Sequence, residues 1–232
     1  MKTIILSLSV ALLFACTVKN RLDNNLVAYW SFDDSSSIVI KDLSGHKLDA
    51  LNKGAVPCEG RNGKALFFDG KSVLQVNYKS YLDSFTRGLT VAAWIKKDTA
   101  SHWNTILSRE IDSTWSEYFG LAVFKNHALF SVDPDGKKYI NVMDSTFIIP
   151  DKWLLLAGTY DNDTFKLYVN GKLIQTGFCR GPLKFSDENP LLIGGNSNDK
   201  NHSTLDLFKG CIDEVKIYNK ALSVEEITKL IK

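Results

Sequence analysis

The sequence predicts an all-β fold, an antiparallel two-sheet sandwich with a short C-terminal helix. Three observations predict it. From Leu26 onward, apolar runs of roughly four to eight residues are bounded by turn signals, the mark of strands. Asn170-Gly171 lies between two alternating apolar runs and selects a type I′ turn, because both central residues need positive φ. No helical pattern intervenes before residue 223, so there are no crossover helices and the strands must pair antiparallel.

The elements follow in order. Ala28, Trp30 and Phe32 alternate on one face of the first strand. Leu66-Phe67-Phe68 ends at the turn Asp69-Gly70, and Leu89 to Ile95 forms a strand with Trp94 inside it. Leu121–Phe124 and Ala128–Val132 flank a hairpin tip at Asn126-His127. Pro134-Asp135-Gly136 turns the chain into a strand over 139–142. Phe165 to Ile174 is the Asn-Gly hairpin, and 191–193 and 212–218 complete the strands. Ser223-Val224-Glu225-Glu226 reads as a capping box, with Val224, Ile227, Leu230 and Ile231 at helical spacing behind it.

The chain has 232 residues, 44% hydrophobic and 23% charged, which suits one large folded domain and excludes a disordered chain. Its net charge of +2 comes without a basic run, which excludes a nucleic-acid partner.

The N-terminus reads as a targeting segment. Lys2 precedes an apolar run over residues 4–14, too short to span a bilayer and suited to secretion. It ends in Leu13-Phe14-Ala15-Cys16, similar to a lipobox, in which cleavage before Cys16 leaves that cysteine to carry lipid. Phe14 is larger than the pattern prefers, and an ordinary signal peptide cut nearby is the competing reading. The expected organisation is a signal peptide over 1–15, a tether over 16–25 and one domain over 26–232, anchored to the cell envelope at the outer membrane. Cys58, Cys179 and Cys211 allow at most one intrachain pair, with three choices open.

Nine blocks carry a resemblance. They run from Ala28-Tyr29-Trp30-Ser31-Phe32-Asp33-Asp34 through Asp42-Leu43-Ser44-Gly45-His46 and Gly63–Gly70. Thr90–Ile95, Ile106–Arg109, Trp153 with Gly158-Thr159-Tyr160, Leu167–Gly171, Ile193-Gly194 and Phe208–Tyr218 follow. In this order, over residues 26–230, the chain resembles the laminin-G-like, concanavalin A-like jelly rolls of bacterial surface proteins. The resemblance implies a jelly-roll sandwich, with Trp30, Trp94 and Trp153 as framework residues in the core. It leaves function open, because this fold hosts lectins, adhesion domains and enzymes.

Three chemistries are in view. Similar domains hold a structural Ca²⁺ between their first and last strands, which points to Asp33, Asp42, His46 and Asp213 as ligands. The competing reading makes these acids turn residues that accept backbone hydrogen bonds. Glu110-Ile111-Asp112 resembles the start of the Glu-x-Asp-x-x-Glu strand of laminarinase-type glucanases, but the third acid falls on Trp115 and Glu117 is displaced, so the chain is expected not to be an enzyme. Carbohydrate binding rests on aromatics outside the framework, Trp103 and Trp115, supplemented by Arg109, Tyr118 and Tyr139. Packing of both indoles over the end of the sandwich is the alternative. A glycan is therefore the expected partner and another protein the second choice.

Overall fold

In the computed structural model the described residues are 23–34, 37–98, 102–111, 117–134, 140–145, 148–185, 188–197 and 204–232. The targeting segment and Cys16 lie outside them, as do Asp112, Trp115 and Tyr139.

The strands are β1 (Leu26–Trp30), β2 (Val39–Ile40), β3 (Ala50–Lys53), β4 (Val56–Glu59), β5 (Lys64–Asp69) and β6 (Val73–Val76). Next come β7 (Leu89–Lys97), β8 (Trp103–Glu110), β9 (Glu117–Phe124), β10 (His127–Val132), β11 (Ile140–Met143) and β12 (Leu154–Tyr160). The set closes with β13 (Thr164–Val169), β14 (Lys172–Phe178), β15 (Leu191–Ile193), β16 (Asn196–Ser197), β17 (Thr204–Leu205) and β18 (Lys209–Tyr218), followed by helix α1 (Val224–Lys229).

Two large antiparallel sheets form the sandwich. The first runs β14-β13-β12-β7-β18-β5-β4, with β1 also paired to β18. The second runs β11-β10-β9-β8-β15-β6-β3-β2, and β16-β17 is a separate hairpin. Strand β18 is long enough to hold β5 with Lys209–Ile212 and β1 with Val215–Tyr218 along the same edge. The first and last strands are therefore neighbours, as the family resemblance implies.

Alternation decides what is inside. Ala28 and Trp30 of β1 are fully buried between the sheets, and the Trp30 indole N–H donates to the Leu48 carbonyl at 3.0 Å. Phe130 of β10 packs onto Gly158 of β12 so closely that a Cβ there would lie 2.2 Å from the ring. A second apolar cluster lies outside the first sheet, where Trp94, Leu155 and Tyr168 are capped by Ile227 of α1.

The local signals carry through with small shifts. Asn170 and Gly171 have φ of 47° and 75°, as a type I′ turn requires. The other predicted hairpin tip moves one residue back: Lys125 and Asn126 take positive φ, and His127 begins β10. The α1 capping box is complete, with the Ser223 hydroxyl accepting from the Glu226 N–H and the Glu226 carboxylate accepting from the Ser223 N–H.

Candidate functional site

The outward face of the second sheet carries an aromatic end and an acidic end. Along β9, Phe119, Leu121 and Val123 point into the core, so Gly120, Ala122 and Phe124 point outward. Register pairs Phe124 with Trp103, Ala122 with Thr105 and Leu129, and Gly120 with Ser108 and Ser131. Trp103 and Phe124 are both partly exposed, and their rings meet at 37° with centroids 4.5 Å apart. The Lys125 ammonium lies 5.1 Å from the Phe124 ring centre. This gives a two-ring platform with a cation at its edge.

At the other end Glu117 folds back over the sheet. A Cβ on Gly120 would lie 2.3 Å from its carboxyl atoms, so only glycine leaves it room. The Ser131 hydroxyl bonds the Glu117 carboxyl and lies 3.2 Å from the Gly120 carbonyl. Burial pushes Glu117 up to about 7, helped by the charge of Asp206 and opposed by the Ser131 hydrogen bond. The hairpin bearing β16 and β17 stands beside β8, held by the Thr105 N–H donating to the Asp206 carbonyl at 2.9 Å. In the sequence Glu117 is only a displaced acid. The signal it left is one acid near a glycine and a serine, at positions that only strand register brings together.

Of the predicted ligand contacts, the structure places Trp103 on this face. Trp115 and Tyr139 lie outside the described residues. Arg109 and Tyr118 are corrected: both are fully buried. The Arg109 guanidinium donates to the Leu82 carbonyl at 2.6 Å and pairs with Asp83 at 2.8 Å. It sits 4.1 Å over the Phe185 ring and 5.7 Å from those of Tyr78 and Tyr118. A bulge between Arg109 and Glu110 breaks the alternation and turns both Tyr118 and Phe119 inward.

The predicted calcium ligands do not assemble as one set. Asp42 accepts the N–H groups of Tyr29, Ser44 and Leu48 and the Ser44 hydroxyl, so both its oxygens organise a turn. His46 stacks on Tyr81 at 3.8 Å, with Nδ1 3.0 Å from the Val27 carbonyl. Asp33 accepts the Lys64 N–H, and Asp213 accepts those of Arg61 and Asn62, so these two hold the turn between β4 and β5. The second oxygen of Asp213 is buried without a hydrogen-bond partner, and burial pushes this acid up to about 6. Asp33 and Asp213 supply two carboxylates where Ca²⁺ takes six to eight oxygens. Among the described residues no three His, Cys, Asp or Glu side chains converge to hold a metal.

Cys58 and Cys211 reach each other across β5 with sulfurs 3.0 Å apart, whereas Cys179 packs against the main core. Glu110 ends β8.

A family model described as "Concanavalin A-like lectin/glucanases superfamily" (Laminin_G_3) matches residues 68–228. The chain belongs to this family. Its jelly roll is shared with solved structures of low sequence identity, which establishes the common fold. Against the binding domain of Paraclostridial Mosquitocidal Protein 1 the TM-score is 0.72 at 18% identity, covering 91% of this chain and 52% of the other. Against domain 4 of AbnA, an extracellular arabinanase from Geobacillus stearothermophilus in complex with arabinotriose, it is 0.69 at 20% identity, covering 90% and 98%. Against the binding domain of Botulinum Neurotoxin DC in complex with SialylT it is 0.69 at 15% identity, covering 90% and 52%. The laminin-G-like chain thus spans about half the length of the two toxin domains. No protein of curated function matches the sequence closely enough to count as a relative.

Proposed function

We propose that this laminin-G-like domain binds carbohydrate on the outward face of its second sheet, and that lipid on Cys16 tethers it to the cell envelope. The carrying observation is the Trp103–Phe124 pair, a partly exposed indole backed by a second ring at one end of this face. Sugar rings present C–H faces that stack on indoles, while their hydroxyls need acceptors and donors. Lys125 stands at the rim of the ring pair to supply a donor. Two relatives in fold, the arabinanase domain and the neurotoxin binding domain, were solved with arabinotriose and SialylT bound, which supports the same use here. The similar domains are binding modules, which favours recognition over hydrolysis.

The tether rests on the sequence alone, on an apolar run that stops at Ala15-Cys16. A glycan array probed with the protein tests the ligand, and fractionation of a Cys16→Ala variant tests the anchor. Binding to at least one glycan class and release of the variant from membranes are expected. A blank array alongside capture of a protein that survives glycosidase treatment would transfer the role to protein adhesion.

A further inference from the structure

Trp153 is only partly buried, unlike the fully enclosed Trp30. It precedes β12 and packs against the cluster outside the first sheet, with the Lys96 ammonium 5.5 Å from its ring centre. Beside it opens a cavity of about 220 Å³. Its apolar wall is Ile148, Ile149 and Val169, and Ile149 is 56% exposed. Its polar wall is Asp144, Lys152 and Asn170. The Asn170 side-chain carbonyl accepts the Leu155 N–H at 2.9 Å, which orients the amide and leaves its hydrogens to donate.

The volume is below the roughly 300–1,000 Å³ that takes drug-sized ligands, so it suits one ring-sized group. An indole between aliphatic groups, with a carboxylate, an ammonium and an amide around it, matches a ring that is apolar on its face and hydroxylated at its rim. The cavity lies at an end of the sandwich, where Ile148 and Leu154 belong to the core between the sheets and the Ile148 N–H donates to the Asn126 carbonyl at 2.8 Å; none of its lining residues belongs to the Trp103–Phe124 pair.

We propose that this cavity is a second carbohydrate site, holding one sugar residue and separate from the Trp103 face. The proposal rests on the carbohydrate reading given above. Occupied together, the two sites hold one chain at two points or two chains at once, and either way gain avidity on a dense glycan surface.

Indole N–H signals in ¹⁵N-labelled protein test this, assigned through single Trp→Phe substitutions and titrated with arabino-, xylo- and cello-oligosaccharides of one to eight units. The expected result is that both the Trp103 and Trp153 signals move, and that the Trp153 shift persists in a Trp103→Ala variant. The exposed Lys152→Ala substitution is expected to weaken only the Trp153 response, about tenfold. Movement of Trp103 alone overturns the second site and leaves the first standing. Movement of Trp153 alone supports the cavity and removes the sheet-face site. If neither moves, the second site falls together with the first.

Discussion

The carboxyl group of Glu117 occupies the space that a side chain on Gly120 would need, 2.3 Å from where its Cβ would stand. Gly120→Ala is therefore expected to push the carboxyl off Ser131 and cost about 1–3 kcal/mol, the range for overpacking. Thermal melts check this, and Glu117→Ala/Gly120→Ala is expected to recover most of the loss.

The same carboxyl makes stability depend on pH. Burial raises Glu117 from 4.5 to about 7, so the folded state holds its proton where the unfolded state has released it. Stability then falls as pH rises, starting above the unfolded value and complete once pH passes the folded one. Asp213, raised from 3.8 to about 6, acts in the same direction at lower pH. Between pH 6 and pH 8 the loss from Glu117 is expected to be about 1 kcal/mol. Urea denaturation should show it in the wild type and a flatter profile in Glu117→Gln. An unchanged slope in the variant would place the titration elsewhere.

Arg109 is a structural cation. Its side chain is inaccessible, paired with Asp83 and enclosed by Phe185 and Tyr118. Arg109→Ala is expected to cost about 2–5 kcal/mol, chiefly because it empties the space of a large buried side chain, with a smaller part from the loss of its pairing to the one-third exposed Asp83. Arg109→Met should cost less, since it loses the same ion pair but keeps most of the buried volume. Equilibrium denaturation distinguishes this from a surface ligand contact, for which neither change would move the midpoint.

Much of the fold was legible because its signals are local. Asn170-Gly171 names its own turn type, and Ser223 with Glu226 names its own cap. The site was less legible because its determinants are long-range. Arg109 faces inward two residues after the core residue Leu107, yet its charge reads as exposed, and Tyr118 is turned inward by a bulge that nothing in its neighbours announces. Asp42 resembles a metal ligand until its oxygens are traced to three backbone N–H groups, one of them Tyr29 of strand β1. Glu117 acquires its environment from Gly120 and Ser131, and only the β9–β10 register brings Ser131 there.

Cys58 and Cys211 are poised for an oxidised form. Their sulfurs lie 3.0 Å apart, about 1 Å beyond bonding distance, and β4 is an edge strand that can shift. With oxidised glutathione, each sulfur gives up its hydrogen as the S–S bond forms and the glutathione disulfide is reduced to two thiols. The reaction should be slow at neutral pH, because burial and the neighbouring sulfur push the Cys58 thiol up to about 12. The closed loop joins residues 153 apart, so the link should stabilise the domain by up to about 4 kcal/mol. Mass spectrometry should find the two-hydrogen loss in the wild type and not in Cys211→Ser, and thermal melts should show a higher midpoint.

The most direct measurement compares glycan affinity and melting temperature in wild type and Trp103→Ala, using whichever glycan binds best on the array. Removing one stacking indole should weaken binding at this face at least tenfold, a loss of about 1.4 kcal/mol or more, with the midpoint within a few degrees of wild type. Full affinity in a folded Trp103→Ala protein would contradict a sugar platform on this face.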